Sequence, residues 1–202
     1  NKIDDFLQDE PHNGSIPSEK SEVIIIYDNS ALYIAAFLYD DKSNEIPIRM
    51  VRRDDWDKYF MSDWFSIEID SYHNHQSAFE FLVNSSGTQF DDFIFDDNDR
   101  DANWDAVWDS EVRIDDKGWY VEMRIPFSEL RFSELNNHEW GINLNRYLNR
   151  SNELISWVVL PREINGVVSQ FGHIDNISKI AYKRNTTIRP YYILGAVNYN
   201  DY

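Results

Sequence analysis

Residues 93–111, FIFDDNDRDANWDAVWDSE, crowd carboxylates around Trp104 and Trp108. Oxygen-rich loops suit hard cations, calcium above all. The EF-hand spacing fails here. A loop opening at Asp97 finds Asp99 and Asp101 in step, but Ala102 where the sharp turn needs glycine and Trp108 where a bidentate glutamate belongs. Opening at Asp99 fails in the same way, with Trp104 and Ser110 at those places. An irregular calcium cage stays open, with Asp96, Asp97, Asp99 and Asp101 as candidate ligands. The plainer alternative is an acidic loop between strands, held open by solvation and self-repulsion.

Tryptophan offers a second chemistry. An exposed indole stacks on the flat C–H face of a sugar while nearby polar groups take the hydroxyls. Of seven tryptophans, Trp119 and Trp140 fall in phase with apolar neighbours and belong to a core, and Trp64 opens a strand. Trp56 and Trp104 lie in charged loops, where binding residues concentrate. They are the candidate ligand contacts, with Arg53 and Asp63 as charged partners in the neighbouring sequence.

Catalytic patterns are weak. Glu68 and Asp70 share one face of a strand, and Glu80 with Glu122 could be imagined as an acid and nucleophile pair. Such rows are common on solvated sheets. His73 and His75 have the H-x-H spacing of some metal sites, but they fall between two strand patterns and read first as a turn. No nucleophile elbow, phosphate loop or zinc motif is present, so no catalytic residue is assigned.

The elements that must carry these residues are strands. Ser21–Asp28 and Ala31–Tyr39 flank Asn29-Ser30 as a hairpin. Trp64–Asp70, Ser77–Asn84, Thr88–Phe95, Val107–Ile114, Trp119–Ile125, Trp140–Tyr147 and Leu154–Val159 follow with period-two alternation. DDKG at 115–118 is a turn signal. Helical signal is confined to one short turn at Pro126–Leu130 and another near Ile46–Arg53. The expected fold is all-β, an antiparallel β-sandwich of jelly-roll type with few short helices. A boundary near residue 180 separates this domain, 1–180, from a segment at 181–202.

Composition narrows the function classes. A net charge of −17 repels phosphate backbones and disfavours nucleic acid. The chain has no cysteine, which removes disulfides, thiolate zinc sites and a thiol nucleophile. No apolar run reaches the length of a membrane-spanning helix. The chain opens Asn-Lys-Ile, with neither an initiator methionine nor a signal peptide, as expected of a mature or excised piece.

Several segments together resemble carbohydrate-binding module family nine: YDNSALYIAAFLYDD (27–41), SDWFSIEID (62–70), VNSSGTQFD (83–91), WDAVWDSEVRIDDKGWYVEMRIPFSEL (104–130), WGINLNRYL (140–148) and QFGHIDNI (170–177). The resemblance spans about residues 20–178 and is of the type found at the front of large bacterial envelope proteins with a β-barrel-like region behind. It implies a β-sandwich that clamps a sugar ring between two tryptophans and carries structural calcium. Trp56 falls where one clamp residue is expected. The second belongs shortly before QFGHIDNI, where PREINGVVSQ (161–170) has no aromatic, and Trp157 nearby lies in a strand pattern. Thr187–Tyr202 alternates and is tyrosine-rich, like a first barrel strand.

Three functions follow as expectations. The first is a non-catalytic glycan-binding module of a larger secreted, periplasmic or cell-surface protein, with calcium holding an acidic loop and a membrane met only through the following region. The second is a structural or protein-interaction sandwich of an outer-membrane assembly, without a sugar site. The third, a hydrolase using strand carboxylates, has no positive feature in its favour, although the parent protein could be one.

Overall fold

The computed structural model describes residues 2–180. Thirteen strands run through them: β1 (Lys2–Ile3), β2 (Leu7–Glu10), β3 (Ser21–Tyr27), β4 (Ala31–Tyr39), β5 (Trp64–Asp70), β6 (Ala78–Asn84), β7 (Gln89–Phe95), β8 (Asp99–Asp101), β9 (Asp109–Asp115), β10 (Gly118–Pro126), β11 (Asn137–Leu148), β12 (Glu153–Ser156) and β13 (Gly172–Ser178). Among the described residues, helix is limited to single 3-10 turns at Ser43–Glu45, Tyr59–Met61 and Val168–Gln170. The segment near Ile46–Arg53 is irregular, and Pro126–Leu130 forms hydrogen-bonded turns. The segment 187–202, read as a barrel strand, lies outside the described residues.

All pairings are antiparallel and build two sheets. The smaller runs β1-β3-β4-β10-β9, and the larger runs β2-β12-β11-β5-β6-β7-β8. Alternation in sequence assigns the faces. Leu32, Ile34, Ala36 and Leu38 of β4 join Trp119, Val121, Met123 and Ile125 of β10 on one inner face. Phe65, Ile67 and Ile69 of β5, Phe79, Phe81 and Val83 of β6, and Trp140, Ile142 and Leu144 of β11 supply the other. Trp119 and Trp140 are fully buried, as their phase requires. This is the face-to-face packing of a β-sandwich, with a core closed from both sides.

β11 is long enough for two neighbours along one edge. β13 pairs with its first half and β12 with its second. Asn143 fills the gap between them, donating from Nδ2 to the Val158 carbonyl (3.2 Å) and accepting the Val158 N–H at Oδ1 (3.0 Å). A side-chain amide thus replaces a missing ladder pair, as a buried backbone group requires.

Arg146, also on β11, ties the sheets together. It is fully buried and donates to the Lys20 carbonyl (2.9 Å), Ser21 Oγ (3.2 Å) and the Tyr39 carbonyl (2.7 Å). Burial lowers its affinity for its proton to a pKa of about 10, so it remains a cation at neutral pH.

Candidate functional site: a groove on the outer face of the large sheet

The outer face of the large sheet is polar but buried. Registers place Asn143 opposite Glu68, Glu68 opposite Glu80, and Glu80 opposite Asp92, one straight row across four strands. Glu68 is 3% exposed, Glu80 4% and Asp92 2%, so this is not the solvated row that alternation alone suggests. Three like charges side by side in a sheet repel. Arg100, from β8, compensates them. It donates to Glu68 Oε1 at 3.0 Å, to Asp92 Oδ2 at 3.0 Å, and to Glu80. Asn145 Nδ2 reaches Glu68 Oε2 at 3.1 Å, and Ser156 Oγ donates to Asn145 Oδ1.

One guanidinium does not neutralise three carboxylates. Burial, and then the Glu80 charge, push both Glu68 and Asp92 up to a pKa of about 7. Arg100 is held firmly protonated by the Glu80, Glu68 and Asp92 charges.

Next to this row the face turns aromatic. Trp64 stacks on Tyr147, Tyr59 tilts against Trp64 at 5.9 Å, and Trp56 packs on Tyr59 and Phe90 at 5.6 and 5.4 Å. Trp56, Tyr59, Trp64, Leu82 and Leu154 line one groove of about 500 Å³ together with Glu68, Glu80, Asp92, Arg100, Asn143 and Asn145. The indole N–H groups of Trp56 and Trp64 are buried and have no hydrogen-bond partner among the described residues.

The segment 161–170 is tied to the acidic loop. Asp97 accepts the N–H groups of Val167 (3.1 Å) and Ser169 (2.8 Å) at Oδ1 and the Ser169 hydroxyl at Oδ2 (2.8 Å). Gly166, at φ 135°, lies where any Cβ would collide with the Asp97 carboxylate. Val167 thereby reaches the groove, an aliphatic residue where the resemblance expects an aromatic, and Leu160 lines it from just ahead of the segment. Trp157 is elsewhere, donating to Asp5 Oδ1 at 3.0 Å and packed over Gly172.

The structure separates the other residues singled out in the sequence. Trp104 is half-buried on the opposite face of the sheet, 5.0 Å from the Phe79 ring and 5.6 Å from Phe81. Arg53 braces the loop before β5 by bonding Gln89, Asp91 and the Ala106 carbonyl. Asp63 is buried and accepts the Asn149 N–H at 2.9 Å. Burial pushes its carboxyl upward. Glu80 and Glu122 belong to different sheets and form no pair.

The four candidate calcium ligands of the acidic loop are not gathered around one point. Asp97 spends its oxygens on Val167 and Ser169, and Asp101 accepts from Asn103 at 2.9 and 3.0 Å. None of the metal-sized ligand groups among the described residues contains Asp96, Asp97, Asp99 or Asp101. Two such groups are purely acidic, and arginines bind them. Arg53 serves Asp54, Asp91 and Asp105, while Arg150 serves Glu19, Asp40 and Asp41.

The sequence reading missed Tyr59, Glu68, Glu80, Asp92, Arg100, Asn143 and Asn145 as one site. A signal did exist: the polar phases of four strands come into register only once those strands are paired. Arg100, the lone cation within DDNDRD, was the other.

Residues 6–165 match the model of the carbohydrate family 9 binding domain-like family. The chain belongs to that family. Its fold is also that of solved family 9 modules. A carbohydrate-binding module of Caldicellulosiruptor kristjanssonii, solved with cellotriose and separately with glucose, superposes at a TM-score of 0.60 and 16% identity, covering 94% of this chain and 87% of that one. A putative carbohydrate-binding protein from Bacteroides uniformis superposes at 0.64 and 10% identity, covering 84% and 85%. No curated protein matches the sequence.

Proposed function

We propose that the domain is a non-catalytic glycan-binding module, and that the groove walled by Trp56, Tyr59 and Trp64 is its binding site. The observation that carries this reading is the convergence of three aromatic side chains with a cross-strand polar row in one concavity. Apolar ring faces meet the aromatics, and hydroxyls meet Asn145, Arg100 and the carboxylates. Family membership and the sugars bound by the similarly folded modules point the same way.

Recognition fits the carboxylates better than hydrolysis does. A glycosidase needs one carboxyl group free to attack or to activate water. Here Glu68, Glu80 and Asp92 all bind the same guanidinium. The wider setting, a module of a larger secreted or outer-membrane protein, rests on the sequence resemblance and the alternating segment 187–202.

The aliphatic Leu160 and Val167 favour a second reading, a sandwich that has kept the fold and serves protein contact. Tryptophan fluorescence titrated with glucose, cellotriose and a panel of other oligosaccharides separates the two. The glycan reading expects a saturable shift that Trp56→Ala abolishes. Silence across the panel favours the second reading, and glycoside cleavage lost in Glu68→Gln would bring catalysis back.

A further inference from the structure

We infer that His73, His173 and Glu139, with His75 beside them, form a site for a divalent transition metal of the zinc class at one edge of the large sheet. Three of the chain's five histidines meet there from two distant segments. His73 Nε2 lies 3.2 Å from His173 Nδ1. The His73 ring is centred 4.6 Å from that of His75 and 5.0 Å from that of His173. One nitrogen from each of His73 and His173 and a Glu139 carboxylate oxygen all fall within 4.8 Å of one another.

The spacing suits a metal. Two nitrogens bound to one ion at about 2.1 Å stand about 3.0 Å apart at octahedral angles and about 3.4 Å at tetrahedral ones. Two imidazoles with one carboxylate is a donor set that zinc accepts and that calcium, which prefers oxygen, does not favour.

The fold builds this meeting deliberately. His173 pairs with Gly141 across β13 and β11, and Gly141 pairs with Asp70 across β11 and β5. The glycine leaves no side chain between His173 and the turn that follows Asp70. That turn is fixed by Asp70, whose carboxylate accepts the N–H of Asn74 (3.2 Å) and of His75 (2.8 Å). His73 and His75 both take left-handed backbone, at φ 51° and 58°. Backbone held in such conformations clusters at ligand sites. A bulge sets two β13 residues, Asp175 and Asn176, opposite Glu139. Bulges re-aim side chains at sheet edges.

The site is distinct from the groove. Gly141 and Asp70 lie one same-face step, about 7 Å, beyond Asn143 and Glu68. Val168 and Phe171 pack on Ala78 and Ile94 of the same face. A metal here would fasten the 71–77 turn to β13 without entering the sugar groove.

The test uses the chain as it exists, stripped with chelator and then given ZnCl2, or CaCl2 as a control, in a non-coordinating buffer. Zinc is expected to bind one to one and raise the melting temperature, as any ligand of the folded state does. Calcium is expected to do neither. His73→Gln and His173→Gln should each weaken zinc by about 100-fold or more, given that even outer-shell losses cost about 10–100-fold. His12→Gln, at an exposed position on a remote turn, should leave it unchanged. Substituted cobalt gives a second readout, a visible absorption band lost in the same two variants. Absence of zinc binding, or binding undiminished in both variants, overturns the inference. Far-UV circular dichroism confirms that the variants are folded, and cellotriose titration of His173→Gln tests the groove separately.

Discussion

The rings of Trp64 and Tyr147 stack with 5.6 Å between centroids and 16° between planes. They are cross-strand partners on β5 and β11, so the sheet register itself sets the pair. An indole already stacked on one face offers its remaining surface to the groove in a fixed orientation. That rigidity lowers the entropy lost on binding.

The two loop tryptophans should part in their effects. Trp56→Ala is expected to abolish the cellotriose response while costing about 1–2 kcal/mol of stability through Tyr59 and Phe90. Trp104→Ala should cost about 2–3 kcal/mol, less than the roughly 3–5 kcal/mol of a fully buried indole because Trp104 is half-buried, and leave the affinity of the folded protein unchanged. Urea unfolding and calorimetric titration on the same preparations read both quantities.

The carboxylate row makes stability depend on pH in a stated direction. Glu68 and Asp92 have folded pKa values raised to about 7, well above those of exposed carboxylates. Between pH 4 and 7 the folded state therefore holds more protons than the unfolded one, and this contribution to stability falls as pH rises. It is fully present below the unfolded pKa and lost above about 7. Taken one at a time, each shift corresponds to about 3–4 kcal/mol. Urea midpoints at pH 5 and pH 8 should show the fall, and Glu68→Gln should flatten it.

Arg100→Gln removes the shared partner of three buried acids. Arg100 is itself partly exposed, so the expected cost is about 2–3 kcal/mol at pH 8 rather than the larger loss of a fully buried pair. At pH 5, where Glu68 and Asp92 take up protons, the cost should shrink. An equal cost at both values would mean that the guanidinium acts by packing alone.

Gly166→Ala tests the tie between the 161–170 segment and the acidic loop. The φ of 135° and the adjacent Asp97 carboxylate both oppose a Cβ. A loss of about 1–3 kcal/mol is expected. Cellotriose affinity should fall with it, because Leu160 and Val167 line the groove. Unchanged affinity in the folded variant would show that this segment plays no part in binding.

Most of the sandwich was legible because its residues alternate. The hairpin at 21–39 and the strands read at 64–70, 119–125 and 140–147 follow from period two, the last two falling inside the longer β10 and β11. β1, β2 and β8 were not, because two to four residues carry no period. β13 was hidden within a recognised segment. Trp56 could be singled out from its charged loop, and the structure puts it on the groove wall. Trp104 could not be placed against Phe79, because a tryptophan in a charged loop looks the same whether it faces solvent or a core. The row Asn143–Glu68–Glu80–Asp92 depends on pairing among four strands, and sequence spacing says nothing of register across distant strands. For the same reason His173 could not be joined to His73.

If the groove binds glycans as proposed, its three carboxylates against one arginine would also act as a filter. A groove with excess negative charge repels uronic acids and sulfated sugars before any hydroxyl is read. Neutral chains enter without that penalty. Acidification, by protonating Glu68 and Asp92, would relax the discrimination, so selectivity between neutral and acidic glycans should be sharpest on the alkaline side of neutrality.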